Sequence, residues 1–508
     1  MDATHASDQP IRHKDVSVLC NGEIYNSSEV YPDSERFTND CAGLAEYFHA
    51  TGFEQAAVTG ALQRLRGVFG LIALNKDTNQ LIVARDPLGV RPLFYAVEKD
   101  VLYVASEGKA LVELLDFSES ETDTICELEP GTWFDEHLTL NSYYELPTEP
   151  KLGPSLNAAI CQTSALFVQA VQRRIESSRP RAYLLSGGVD SSAVAAVAAR
   201  LESHRNPGTR IHTYSVGFEN SSDLVAARRV AEYINSVHHE HIITYEEALQ
   251  AIPRVVINNE SRDQTTTRAS TPMYLLLEHI SKTSLAKVIF SGEGADEIFG
   301  GYLYFHRAPS NEEGFAESRR ITYELPWYDV RRTDRSCAGH GLEARVPILD
   351  VDLVNFVMGL PWEYRKPREQ TLADGRSAVF EKWLFRMAIA QVAQDILPQD
   401  ILWRPKVAFS DGVASTDKSW FGAIQEHVTK NVYPTSLRGT TSSTVLESHW
   451  YEDIFNMVYN PDGKSYEGVR YQWLPRWIDT SGESSAMAFA ETIHPGAHRR
   501  SVITATGR

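Results

Sequence analysis

The feature that most constrains this chain is the string Ser186-Gly187-Gly188-Val189-Asp190-Ser191-Ser192. It stands directly after Ala182-Tyr183-Leu184-Leu185 and directly before an alanine-rich run from Ala193 to Leu201. The short apolar run reads as a buried strand and the small-residue run as a helix. Two glycines let the backbone approach an anion closely. The hydroxyls of Ser186, Ser191 and Ser192, with the free amides that open a helix, donate to phosphate oxygens. The loop carries Asp190 and no lysine, which suits a phosphate bridged through a metal ion. An ordinary glycine–serine turn capping a helix is the bland alternative, and the complete string between strand and helix argues against it. A Walker A loop is excluded, because Gly463-Lys464-Ser465 is the only GK[ST] string and Val458 stands where the earlier glycine is needed.

Around this loop the chain has two rhythms. From residue 16 to about 135, short apolar runs such as Phe69–Leu74, Leu81–Ala84, Pro92–Ala96 and Val101–Ala105 alternate with turn residues, which predicts an antiparallel meander. Tyr144 to Pro154 holds three prolines and a glycine and reads as a linker. Beyond it, a helix is predicted over Leu156–Arg174, strands over Ala182–Leu185, Ile211–Val216 and Val288–Phe290, and a helix over Leu224–Ile234. Strands alternating with helices imply a parallel sheet whose ligands sit at the carboxyl ends of its strands. The fold class is therefore α/β, with an antiparallel α+β half followed by a Rossmann-like parallel-sheet half. The expected division is 1–146, a linker at 147–155, a second domain at 156–485 and an aperiodic tail at 486–508.

Composition narrows the class further. With 49 basic and 67 acidic residues the net charge is −18, so broad attraction to nucleic acid or an anionic membrane is not expected. No apolar run reaches the length of a membrane span, and no basic region leads into an apolar core at the start, so neither a membrane anchor nor a secretory leader is expected. Five cysteines without a CxxC pair form no disulfide framework, and a cytoplasmic location is the default.

Four further blocks accompany the phosphate loop: Thr267–Tyr274, Phe290-Ser291-Gly292-Glu293-Gly294-Ala295-Asp296-Glu297 through Tyr302, Gly341–Asp350, and Trp403-Arg404-Pro405-Lys406 through Gly412. Together the five blocks resemble the glutamine-hydrolysing asparagine synthetases, with an ATP pyrophosphatase domain, over about Ser17 to Ser485. The resemblance implies adenylation of an aspartate side chain by ATP, with Mg²⁺ as cofactor, followed by attack of ammonia on β-aspartyl-AMP. Ser186, Gly187, Gly188, Asp190, Ser191 and Ser192 would cradle pyrophosphate, and Asp190 with Asp296 would hold Mg²⁺. Leu185, Val216, Ser291 and Gly292 match nucleotide contacts. Glu293 matches the base, an anion at neutral pH without special tuning. Lys406 matches the lysine that offsets charge on the phosphate in the transition state. Arg332, with Asp329 and Arg345, falls among the substrate-side charges. By residue type alone, Glu343, Arg345 and Asp350 read instead as a structural ion-pair network, and His238 and His239 as core and surface residues rather than metal ligands.

The first half resembles a class II glutamine amidotransferase domain of N-terminal-nucleophile type. Asn21, Gly22 and Glu23 of Asn21-Gly22-Glu23-Ile24-Tyr25-Asn26 match the glutamine-binding segment, Asn21 and Gly22 also its oxyanion donors, and Asp40 matches the acid gripping the glutamine α-amino group. Arg85–Leu93 and Ala105–Leu111 match scaffold blocks. Read alone, the NGE string is a common turn. The family's nucleophile is an N-terminal cysteine, whereas here Met1 is followed by Asp2, and Cys20 reads as a small buried hydrophobe. For the chain as written the expectation is a glutaminase half without hydrolytic activity and an unpaired sheet edge, with an incomplete gene model and the use of free ammonia as nitrogen donor as the two explanations. Small-molecule substrates (aspartate, glutamine or ammonia) are the expected partners, and a homodimer is compatible with the resemblance. A ring-closing acyl-adenylating ligase of the β-lactam synthetase type and a non-catalytic amidotransferase-like protein are the alternatives. Glu293 speaks against the first, and the intact Asp190, Asp296 and Lys406 speak against the second.

Overall fold

The computed structural model describes residues 8–31, 37, 39–115, 124–151, 153–393, 395–434, 442–460 and 474–477. The expected tail at 486–508 lies outside the described residues. Contacts divide the chain into two compact units, the first running to Leu146 and taking in a later segment from Val458, the second beginning at Pro147.

In the first unit, β1 (Ile11–His13), β2 (Val16–Ile24), β3 (Gly67–Asn75), β4 (Leu81–Arg85), β8 (Thr132–Phe134) and β9 (Leu140–Ser142) form one sheet in the order β1-β2-β3-β4-β8-β9. A second sheet has the order β6-β5-β7, from β5 (Phe94–Glu98), β6 (Val101–Ala105) and β7 (Cys126–Glu127). All these pairings are antiparallel, as the alternation of short runs and turns predicts. β2 alternates, sending Val16, Val18 and Cys20 into a core with Phe48, Val58 and Leu62 from two helices, Leu44–Thr51 and Gln55–Arg64. Val83, Leu93, Leu128 and Phe134 form a second apolar layer, against which Tyr95, Leu102 and Val104 pack. Asp86, buried between, accepts from the amides of Val90 at 3.0 Å and Arg91 at 2.9 Å, so the Arg85–Leu93 block is scaffold.

One alternative falls here and one expectation needs correction. The Asn21-Gly22-Glu23 string is no turn, since it lies inside β2 and pairs with Gly70, Phe69 and Val68 of β3. A Cβ on Gly22 would stand 2.0 Å from the Val68 carbonyl oxygen, so the glycine answers a close strand approach. Nor is the β2 edge bare. β1 folds back on Val16–Val18, and the Gln9 side-chain amide imitates a further ladder step by bonding both the amide and the carbonyl of Cys20, at 2.7 and 2.8 Å.

The second unit holds a parallel sheet in the order β12-β11-β10-β13-β14, from β10 (Arg181–Leu184), β11 (His212–Gly217), β12 (Val237–Ile242), β13 (Val288–Phe290) and β14 (Glu343–Arg345). A small hairpin of β15 (Arg368–Thr371) and β16 (Ser377–Phe380) lies apart from it. The chain runs from β10 outward to β11 and β12, and β13 then lands on the other side of β10. That reversal makes a switch point, and the crevice outside the carboxyl ends of such strands is where α/β sheets take ligands. Tyr183 of β10 and Phe290 of β13 stack across it at 4.7 Å between centroids. Among the described residues, no helix is long and apolar enough to cross a membrane.

Candidate active site

A cavity of 1900 Å³ opens at that switch point. Its floor begins one residue beyond β10. The helix that follows covers Val189–Arg205, four residues earlier than the alanine run predicts, because Gly188 in extended conformation serves as its cap. Asp190 and Ser191 thereby occupy the first helical turn, where amides lack intrahelical acceptors and the dipole favours negative charge, whereas the Ser192 amide already donates to the Gly188 carbonyl at 3.1 Å. Ser186 Oγ and Ser191 Oγ lie 3.1 Å apart on the cavity side. Ser192 differs from expectation: it is fully buried, and its hydroxyl does not line the cavity. Gly187 also acts by packing, since its φ is +75° and a Cβ there would stand 2.4 Å from the Ala226 Cβ. Leu185 and Val216, at the ends of β10 and β11, both line the cavity.

The second wall follows β13. Gly292 is small because the two loops touch: a Cβ on it would meet the Ser191 amide nitrogen at 2.7 Å. This contact brings Asp190 and Asp296 together around lysines. Lys406 Nζ lies 2.6 Å from Asp296 Oδ2. Lys382 Nζ lies 2.5 Å from Asp190 Oδ2 and 2.8 Å from Asp296 Oδ1. Burial would raise the Asp296 carboxyl, but the two ammoniums outweigh it and hold the group down at about 2. Lys382 has no sequence motif to announce it. It precedes an apolar helix, Trp383–Val392, and its role emerges only from the tertiary meeting of three segments.

Among the described residues no group of three or more His, Cys, Asp or Glu can hold a metal. Two carboxylates do fit Mg²⁺, a hard cation that binds through one or two carboxylates and completes its shell with substrate phosphates and water. Asp190 Oδ1 is buried without a hydrogen-bond partner, an oxygen donor still to be satisfied.

Glu293 lies at the end of the same loop. Its Oε2 accepts from Arg332 Nη2 at 2.9 Å and its Oε1 from Thr333 Oγ1 at 3.0 Å. Arg332 also donates to Asp329, and Tyr302 bonds Asp329 at 3.1 Å and Glu297 at 2.5 Å. Burial pushes the Glu293 carboxyl above its ordinary value, and Arg332 and Thr333 pull part of that back. The expectation of an untuned base is therefore corrected. Thr333 was legible, since Asp329, Arg332 and Thr333 sit at i, i+3 and i+4 of one helix, Asp329–Ala338. Nearby Glu297, buried and facing Asp329 and Asp296, is pushed far above the carboxylate range.

Arg345 does not join the substrate-side charges. It points from β14 to Glu343 at 2.7 Å and to the Arg174 carbonyl at 2.6 Å, while Asp350 takes Arg174 at 2.7 Å, so these three form the structural network. His238 and His239 face opposite sides of β12: the first meets Thr213 at 2.9 Å, the second stacks on Tyr214. Both are half-buried, which fits neither a core nor a fully exposed assignment. In the first unit, Asp40 Oδ2 accepts from the Ile24 amide at 2.6 Å, which brings it onto the strand carrying Asn21, Gly22 and Glu23. Cys20 is buried with its Sγ 3.7 Å from Cys41 Sγ.

Comparison with known proteins agrees with this geometry. The family described as asparagine synthase matches residues 162–327 and 316–456, and that described as a glutamine amidotransferase domain matches residues 1–113. Asparagine synthetase [glutamine-hydrolyzing] of Gallus gallus is 37% identical over 516 residues, covering 94% of this chain and 87% of that protein. The Cricetulus griseus protein of the same name is 37% identical over 513 residues and the Homo sapiens one 35% over 510, with the same shares covered. A glycine–serine loop, an acidic pair and a buried glutamate on one cavity, joined to this similarity along nearly the whole chain, show that the chain belongs to the glutamine-hydrolysing asparagine synthetase family.

Proposed function

We propose that this chain is a ligase that amidates L-aspartate to L-asparagine at the cost of ATP. The aspartate side-chain carboxylate attacks the α-phosphorus and the bond to the β-phosphate oxygen breaks, giving β-aspartyl-AMP and pyrophosphate. Ammonia, which glutamine supplies in this family, then attacks the acyl carbon; AMP leaves and the nitrogen loses a proton. One arrangement carries this reading: Glu293, gripped by Arg332 and Thr333, opens on the same cavity as the Asp190–Asp296 pair.

Ser186, Gly188 and Ser191 bind the pyrophosphate portion, Gly187 and Ser192 shape the loop from behind, and Leu185, Val216, Ser291 and Gly292 hold the nucleoside. Asp190 and Asp296 hold Mg²⁺, which when bound neutralises the phosphate oxygens. Lys406 stabilises charge at the α-phosphate, and Glu293 accepts the nitrogen's proton. Arg332 holds Glu293 in place and ionised. In the first unit, read as an N-terminal-nucleophile-type glutaminase domain, Asn21, Gly22, Glu23 and Asp40 form the glutamine site. The two antiparallel sheets and the meeting of Asp40 with the Asn21–Ile24 strand support that reading.

The test is pyrophosphate release with ATP, Mg²⁺ and aspartate, with ammonium or glutamine supplied in parallel and asparagine measured directly. Aspartate-dependent release with asparagine formed is expected, and Glu293→Ala abolishes the amide. A chain that binds nucleotide yet forms no AMP with aspartate, or a Glu293→Ala variant of normal rate, overturns the proposal.

A further inference from the structure

We propose that Lys382 is a specificity-determining residue that makes the acidic pair accept its metal only as a metal–polyphosphate complex. This rests on reading the cavity as a nucleoside triphosphate site. The charge count is the starting point. Asp190 and Asp296 carry two negative charges, and Lys382 and Lys406, at 2.5 to 2.8 Å from their oxygens, carry two positive ones. A bare divalent cation arriving here meets a neutral cluster and must compete with a buried ammonium for both carboxylates. A cation already on a polyphosphate brings anionic oxygens of its own, to which the lysines can turn. The same cluster thus repels one form of the metal and receives the other.

Three observations show that the chain places this lysine against local cost. Lys382 sits at the amino-terminal cap of a helix, the end where a positive charge is disfavoured. Its φ is +56°, a conformation that L residues adopt reluctantly. Position 301 is glycine along its path: a Cβ there would stand 2.1 Å from Lys382 Cε and 2.3 Å from Asp296 Oδ1. The side chain ends only 1% exposed, with both carboxylates as its charged neighbours. A lysine serving the fold alone needs one carboxylate and no such accommodation.

The experiment measures binding. Mn²⁺ is titrated into nucleotide-free wild type and Lys382→Met, with free metal followed by electron paramagnetic resonance, and pyrophosphate is titrated with Mg²⁺ by calorimetry. The expected signature has opposite signs: Mn²⁺ alone binds at least tenfold more tightly to the variant, and magnesium pyrophosphate at least tenfold more weakly. Unchanged Mn²⁺ affinity, or weakening of both ligands together with a lowered melting temperature, overturns the proposal; the latter is the mark of a structural lysine. Should Lys382→Met fail to fold, Lys382→Gln, which removes the charge but keeps a polar donor, carries the same two readouts. If wild type neither binds magnesium pyrophosphate nor forms AMP, the functional reading falls and this inference with it. If wild type does both and the variants match it, this inference alone falls.

Discussion

Arg332→Met isolates what the Glu293–Arg332 pair does for chemistry. The guanidinium nitrogen lies 2.9 Å from the carboxylate oxygen, and the two side chains are only 8% and 14% exposed, so solvent screens little between them. With charge centres about 4 Å apart and an effective dielectric near 20, the attraction is about 4 kcal/mol as a ceiling. The Thr333 hydrogen bond survives the substitution, so part of the lowering influence remains and the carboxyl rises by less than that ceiling. The sign follows from the two opposing influences on Glu293. Burial raises its carboxyl, Arg332 lowers it, and removing Arg332 leaves burial and the nearby Asp329 to outweigh the Thr333 hydrogen bond. A base must be ionised to take the nitrogen's proton, so the acidic limb of the kcat profile moves to higher pH. Amide formation is measured across pH with saturating ATP, aspartate and ammonium for both proteins. The variant-to-wild-type ratio cancels the ionisation of ammonia itself. An acid limb that stays in place or moves downward, whatever the loss in rate, refutes Glu293 as a base poised by Arg332.

Other perturbations test the frame around the site. Gly187→Ala places a methyl 2.4 Å from Ala226 at positive φ and should cost about 2 kcal/mol or more, read as a lower urea midpoint. Arg268 holds the buried Glu447 through bonds of 2.7 and 2.6 Å, so Arg268→Met should destabilise by about 3–5 kcal/mol, and adding Glu447→Leu should recover much of it. Asp296, at about 2 in the folded chain against an ordinary 3.8, contributes about 2 kcal/mol above its ordinary value that is lost as pH falls toward 2. Other depressed carboxylates such as Asp350 still titrate there, so urea midpoints of Asp296→Asn should fall less steeply than those of wild type over that acid range, and equal slopes contradict the assignment.

Much of the second unit was legible because its signals are local. Val288–Phe290 is a strand over those same residues, and Leu156–Ile175 is a helix one residue longer than the apolar periodicity predicts. The loops after β10 and β13 announced themselves because glycines are needed wherever two backbones meet, as Gly292 meets Ser191. What stayed hidden depends on which face a side chain takes after tertiary packing. Ser192 shares its string with Ser191 yet turns into the core, since successive helical residues point about 100° apart. Arg345 stands on a strand beside the site but spends its donors on Glu343 and two backbone carbonyls. Asn21-Gly22 has the composition of a turn, and only the nine-residue ladder with β3 makes it a strand. Lys382 is a lone lysine in an unremarkable context until the fold delivers two carboxylates to it.

The Tyr183–Phe290 stack ties the strand that ends in the phosphate loop to the strand that ends in the Glu293 loop, 4.7 Å ring to ring. The proposed nucleotide grip and proton acceptor are therefore mounted on one slab, with no seam between them along which either could drift. Wear in the machinery should accordingly arrive all at once: a smaller ring at either position loosens triphosphate affinity and amide formation in step, although neither ring reaches a substrate.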